Sequence, residues 1–488
     1  MEITYGELLL GVNERYSDEL LVETTVDTAA RGGATNVLSV EADAKASSVE
    51  LLDGEADVMG KVNYRLLYLD SQGRLCGLDY FKDFKCRVKG EKIMPNGKCA
   101  VGFVVPDVDA RVAGDGVELS AVVKVDLDYF GEEEKKIVTG ISGAETLAGE
   151  VVTNRVSVKE KVLELDKIAD VGLNVKKIVL FQTEALPLTL REEEDGTALA
   201  GEVKGTLLYL NDAEEVAELT VTLPFEEKAE AVGEKDYSAF VKSARVVLTD
   251  DEEGNSVEVE ASVVLIEKTY DRLHQSVIVD SCGEKFVVEE QRQTGVHDLF
   301  FAKRTYSEEI EGAISVDDPG ATYLFVRPGC LGIAGVSVAD GKINVEGVAS
   351  FYVVGEREDK YLSSRGELPF VFDLPFEGAK DNQRADVAVR VTDATISARG
   401  KEVRLKATLS VEVRLYEASA FSYLSDAKEG APIWESEAGI SVYYAEKGET
   451  LFSVAKSMGV LPSALVRANP FLSEPLEEDK KVLIFRQK

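Results

Sequence analysis

An Asp-Gly turn occurs three times in this chain, at Asp53-Gly54, Asp195-Gly196 and Asp340-Gly341, with glycine spacings of 142 and 145 residues. That repetition decides the architecture, because whatever one period folds into is built three times. Each turn leads into a strand of alternating character. The expected core-facing series are Val58, Gly60, Val62, Tyr64, Leu66, Tyr68; then Leu199, Gly201, Val203, Gly205, Leu207, Tyr209; then Ile343, Val345, Gly347, Ala349, Phe351, Val353. A second landmark is a long closing strand through Ala121, Ala261 and Ala407, which follow their glycines by 67, 65 and 66 residues. One face of that strand carries Val117, Leu119, Ala121, Val123, Val125, Leu127 and Tyr129, and the third copy repeats it from Val403 to Leu415. The opposite face carries Glu118, Lys124 and Asp126, or Arg404, Lys406 and Glu412, as a half-buried antiparallel sheet requires.

Upstream of each turn the order also repeats: an acidic extended stretch, a glycine and an apolar strand, as in Leu21-Val22-Glu23 followed by Val37-Leu38-Ser39-Val40. These landmarks bound the repeats at residues 14–131, 155–272 and 300–418. Six to eight strands fit in each, too many for one flat sheet of that size. The expected class is therefore mainly β, three tandem sandwich-like or barrel-like repeats.

The 488 residues are 45% hydrophobic, enough for several cores, and carry a formal charge of −34. So acidic a surface excludes nucleic acid and anionic membrane as partners, because counterion release would oppose binding. Runs such as Glu132-Glu133-Glu134, Glu192-Glu193-Glu194-Asp195 and Asp250-Asp251-Glu252-Glu253 read as solvated turns, with calcium sites the remote alternative. The first residues, MEITYGELLLGVNERYSDE, have no basic segment and only a short apolar run, and no stretch is apolar enough to span a bilayer; a cytoplasmic location is expected. Five cysteines, Cys76, Cys86, Cys99, Cys282 and Cys330, lack metal-ligand spacing and read as reduced, packed thiols.

The last residues, 441–486, follow another pattern. An apolar strand, Val442-Tyr443-Tyr444-Ala445, precedes the turn Lys447-Gly448-Glu449-Thr450 and a helix whose apolar positions Leu451, Val454, Ala455 and Met458 share one face. Gly459 stops that helix, Pro462 begins a second, Asn469-Pro470 ends it, and Lys481-Val482-Leu483-Ile484-Phe485 makes a closing strand. From Gly439 onward seven basic residues meet six acidic ones, so a near-neutral module follows a body of about −35.

This strand-GETL-helix-GV-helix-NP-strand order resembles the LysM domain, a small βααβ module known for binding N-acetylglucosamine polymers such as peptidoglycan. Glu449 stands where that family usually has Asp, Asp479 lies near its usual glycine, and Phe485 replaces its usual proline. The resemblance implies a groove between Gly448, Glu449, Thr450, Leu451 on one loop and Asn469, Pro470, Phe471, Leu472 on the other. Leu451 and Leu472 suit the module's core as well as they suit a groove.

The glycine-led strands ending in Leu67-Tyr68 and Leu208-Tyr209 are followed by Pro224-Phe225 and by Pro369-Phe370 or Pro375-Phe376, while the first repeat has Phe81 and Phe84 without proline. With a terminal LysM, this array resembles the SPOCS-domain family of spore-forming Firmicutes. That resemblance implies a role in spore-coat assembly in the mother cell, at the forespore surface, and a partner: the spore-coat base-layer ATPase or another coat protein, captured by the LysM.

Catalysis finds no motif. The two histidines, His274 and His297, lie between repeats and have no recognisable nucleophile beside them, and no phosphate-binding loop occurs. They read as surface or packed side chains. No cofactor and no metal site is expected. Trp434, just ahead of the module, either anchors it to the third repeat or fills the junction. The expected function is a non-enzymatic assembly scaffold. A wall or cortex peptidoglycan-binding protein is the alternative, and a non-catalytic subunit of a wall hydrolase comes third.

Overall fold

The structure is a computed structural model that describes residues 1–170, 175–193, 196–229, 234–251, 254–381, 383–399, 402–433, 439–472 and 475–485. Asp195 of the second Asp-Gly turn, Glu194, Glu252, Glu253 and Trp434 lie outside them. The chain is mainly β. The first stretch holds β1 (Ile3–Asp27), β2 (Ala34–Leu52), β3 (Glu55–Asp70), β4 (Leu75–Lys89), β5 (Lys98–Ala113) and β6 (Gly116–Ile141). The second holds β7 (Ala144–Asp170), β8 (Val175–Ala185), β9 (Thr189–Glu193), β10 (Gly196–Asn211), β11 (Val216–Ala229), β12 (Glu234–Asp251) and β13 (Gly254–Gly283). The third holds β14 (Phe286–Ile314), β15 (Thr322–Ala339), β16 (Lys342–Arg357), β17 (Lys360–Pro375), β18 (Arg384–Arg399) and β19 (Glu402–Pro432).

Each stretch makes two antiparallel sheets. One has its closing strand in the middle, in the orders β1-β6-β5, β7-β13-β12 and β14-β19-β18. The other has the glycine-led strand in the middle, in the orders β2-β3-β4, β8-β10-β11 with β9 added to β10, and β15-β16-β17. The register agrees as well: Ala121 faces Val22 and Val108, Ala261 faces Leu165 and Ala244, and Ala407 faces Ile310 and Ala394. Gly54 and Gly341 both turn with positive φ, +78° and +74°, which a residue without Cβ tolerates, and Gly196 opens β10.

The two sheets of each stretch enclose one apolar cluster. Every residue of the three glycine-led series is buried, and Val403, Leu405, Ala407, Leu409, Val411, Val413 and Leu415 are at most 2% exposed. Each large apolar side chain so buried contributes about 1.5–3 kcal/mol relative to exposure, and strict alternation lets one strand supply many of them to one face.

The strands run past residues 14–131, 155–272 and 300–418. β5, β12 and β18 begin opposite Phe130, Tyr270 and Tyr416, and beyond those residues each sheet continues as a two-stranded ribbon. The ribbons β1/β6, β7/β13 and β14/β19 pack together as a prism with cores of their own. Leu8, Leu10, Ile137, Val151, Val277 and Tyr423 form one, and Val138, Ile141, Ile278, Val288 and Leu424 belong to another. Most of the residues between the expected repeat bounds are thus strand, because each ribbon's apolar face is covered by the other two.

Where the third strand ends, charged side chains link the three stretches in a closed circuit. Lys268 reaches Asp128 at 2.8 Å, Arg414 reaches Asp236 at 2.6 Å, and Arg15 reaches Asp386 at 3.3 Å. At the glycine-led sheets Glu41, Gln182 and Arg327 meet, with Arg327 Nε–H donating to Glu41 at 2.8 Å and its Nη2 to Gln182 at 2.6 Å. These three occupy matching register positions, opposite Arg65, Thr206 and Tyr352.

Candidate partner-binding module

The C-terminal module contains β20 (Ile440–Ala445), α1 (Leu451–Met458), α2 (Pro462–Ala468) and β21 (Lys480–Phe485), with β20 and β21 antiparallel. Alternation sends Ala445, Val482 and Ile484 inward, where they meet Leu451, Val454, Ala455, Leu465 and Leu476. α1 starts at a capping box: Thr450 Oγ1 accepts from Ser453 N–H at 3.0 Å, and Ser453 Oγ accepts from Thr450 N–H at 3.2 Å. It stops at Gly459, whose φ of +63° lets Val460 N–H turn back to Ala455 O at 3.0 Å. Pro462 supplies the preset φ and the missing N–H suited to the first position of α2.

The eight candidate groove residues divide by burial. Leu451 is 2% exposed and belongs to the core. Asn469 is 1% exposed and fully spent: its Nδ2 donates to Leu465 O and Leu483 O, and its Oδ1 accepts from Leu483 N–H at 2.8 Å. It ties the end of α2 to β21. Leu472 packs partly buried against the same cluster as Leu451, so the two loops converge on one side of the core. Gly448 and Pro470 are exposed, Glu449 and Thr450 half-buried, and Phe471 is 69% exposed.

The first loop is held from behind. Gly448 N–H donates to Leu476 O at 2.8 Å and Leu476 N–H to Glu449 O at 3.0 Å. The Glu449 carboxylate accepts from Tyr443 OH at 3.2 Å and Glu446 N–H at 2.7 Å, and that bond pushes the Tyr443 phenol up. Asp479 accepts from Lys447 N–H at 2.8 Å. Two of the three departures from the LysM pattern therefore carry loop-fixing hydrogen bonds. The third, Phe485, is 50% exposed.

Sequence reasoning missed that outer face. Ile440, Val442 and Tyr444 point outward from β20 and Phe485 from β21, all well exposed. The signal was present in the unbroken apolar character of residues 442–445, which a strand covered on one side does not need.

The module meets the body through the opposite ends of its helices. Lys456, late in α1, sits between Asp280 and Glu290, the latter at 2.8 Å. Ser463, early in α2, donates N–H to Glu145 at 2.8 Å. The candidate loops, at the start of α1 and the end of α2, are left away from this junction.

Elsewhere, His274 is exposed beside Glu150 at 3.0 Å, while His297 stacks on Phe421 and burial pushes its pKa down. All five cysteines are unpaired. Among the described residues no group of three or more His, Cys, Asp or Glu side chains could hold a metal, and no helix is long and apolar enough to cross a membrane. Comparison of the chain with protein-family models, with curated proteins and with solved structures returns no match.

Proposed function

We propose that this chain is a non-enzymatic scaffold of spore-coat assembly, acting in the mother-cell cytoplasm at the forespore surface. In this reading the three β stretches are copies of one SPOCS-like domain. The C-terminal module is a LysM-like fold that captures a coat base-layer protein, the base-layer ATPase in first place. The observation that carries the reading is Phe471, a large apolar side chain 69% exposed beside Pro470 on a loop fixed at its base by Asn469. Protein partners are gripped by a few rigid aromatic anchors, whereas a glycan trough needs free backbone groups. Here Gly448 N–H and Glu449 C=O are already taken by Leu476. The unbroken inter-stretch contacts suit a spacer of fixed geometry.

The test is recovery of partners by the full chain from sporulating cells beside a peptidoglycan pelleting assay. A coat protein recovered by the wild-type chain and lost with Phe471→Ala supports the scaffold. Pelleting with peptidoglycan and no protein recovered would reverse the ranking in favour of the wall- or cortex-binding alternative.

A further inference from the structure

The junction between module and prism has an unusual composition. The module's core cluster draws only on its own residues, and the prism clusters draw only on the three ribbons. Among the described residues, charge and hydrogen bonding cross between the two. The Lys456 ammonium bridges Asp280 and Glu290, and the Ser463 N–H and hydroxyl both donate to the Glu145 carboxylate. An apolar approach is also present: Ile433 Cγ2 lies beside Gly459, where a β-carbon would stand 2.7 Å away.

The prism side is prepared for this cation. Ser281 donates both its N–H and its hydroxyl to Glu290 Oε1 at 2.7 Å, and Arg292 lies 3.4 Å from Asp280 and 3.2 Å from Glu290. Burial works against the Asp280 carboxylate, yet the hydrogen bonds from Lys456, Glu290 and the Ser281 N–H, together with the Lys456 charge, hold its pKa below the usual range. Beneath the contact lies Cys282, 3% exposed, with Sγ 3.4 Å from Val460 O of the module. Its thiol is pushed up to about 11, burial being the main cause.

We infer that the module is held on the prism by an electrostatic latch, released by high ionic strength while both parts stay folded, and that release uncovers Cys282. Partly exposed ion pairs lose most of their attraction once the screening length falls to a few ångströms, whereas apolar cores do not weaken with salt. The docked state fixes the direction in which the candidate loops point, and the released state frees it. The inference stands on the junction alone and does not depend on what the module binds.

The experiment labels the full chain with iodoacetamide, a neutral thiol reagent, across a salt series, reading each cysteine by peptide mass spectrometry. Cys76, Cys86 and Cys330, buried in the β bodies, report global opening. Between low salt and molar salt, Cys282 labelling should rise about tenfold while those three stay protected. Lys456→Met should show the fast Cys282 rate already at low salt. Salt-independent protection of Cys282, its exposure only together with the other three, or wild-type protection in Lys456→Met would each overturn the latch.

Discussion

The Phe84 ring lies across Gly60, so close that a β-carbon on the glycine would stand 2.4 Å from Phe84 Cζ. The two are cross-strand partners on β3 and β4, and the relation recurs between Gly201 and Phe225, at 2.3 Å, and between Gly347 and Phe370, at 2.4 Å. An aromatic ring thus fills the space a missing side chain leaves on the inner face of each glycine-led sheet.

Replacing Gly347 by Ala should therefore overpack the third core. Its β-carbon would also meet Gly332 O at 2.5 Å, whereas nothing lies within 4 Å of one placed on Gly332. A loss of about 1–3 kcal/mol is expected for Gly347→Ala and close to none for Gly332→Ala. Equal melting temperatures for the two variants would remove the steric argument.

The inner and outer faces of β19 make a second contrast. Leu409 is fully buried, while its neighbour Thr408 points outward opposite Glu309. Leu409→Asp must desolvate an unpaired carboxylate or neutralise it, at a cost of several kcal/mol. Thr408→Lys places a cation beside Glu309 and should leave the urea midpoint nearly unchanged.

Acid should weaken the links between the three bodies. Burial opposes ionisation of Asp236, but Arg414 and Lys303 overcome it and hold its carboxyl down at about 2, and Lys268 and Arg15 hold Asp128 well below the usual range. A carboxylate depressed in the folded state stabilises it above the unfolded value, about 4, and that contribution fades as pH falls through the folded value. Stability measured by urea should hold from pH 7 to about 5 and drop below about 4. Asp236→Ala, which leaves Arg414 and Lys303 sharing Glu412 alone, should cost about 3–5 kcal/mol at neutral pH and flatten the acid limb. A variant as acid-sensitive as wild type would locate the titrating groups elsewhere.

Within the module, binding and folding should separate. Phe471→Ala is expected to weaken partner capture by about 1–3 kcal/mol with the module's melting unchanged, as for an exposed anchor. Leu451→Ala removes a core side chain and should destabilise the module by about 2–5 kcal/mol. Leu472→Ala, partly buried, should show some of each. Isothermal titration beside hydrogen exchange distinguishes the outcomes.

The inner faces were legible from the sequence because alternation over a dozen residues has one physical meaning, and Val58 to Tyr68 or Val403 to Leu415 admit no other parity. The phenylalanine motif was only half legible. Phe370, not Phe376, faces the glycine, and in the first stretch it is Phe84, with Phe81 60% exposed. Cross-strand partnership depends on hairpin register, which neighbouring phenylalanines leave open. The prism escaped notice because Leu8 and Leu10 find their cover on Val151, Val277 and Tyr423, far along the chain, where local periodicity carries no information. At the module, the Asn-Pro ending of α2 was plain, but that Asn469 is consumed internally follows only from where Leu483 comes to rest.

The interleaving of the ribbons also orders events in time. Tyr5 OH donates to Asp426 at 2.5 Å across 421 positions of sequence, and the β14/β19 ribbon that completes the prism is synthesised after the other two. At translation rates of roughly 5–20 residues per second, the first strand's outer half waits tens of seconds for its partners, with Leu8 and Leu10 uncovered. Each β body can close as its own strands emerge. The prism cannot, so a ribosome that stalls before β19 leaves an adhesive, unfinished end, and only synthesis through β19 hides it.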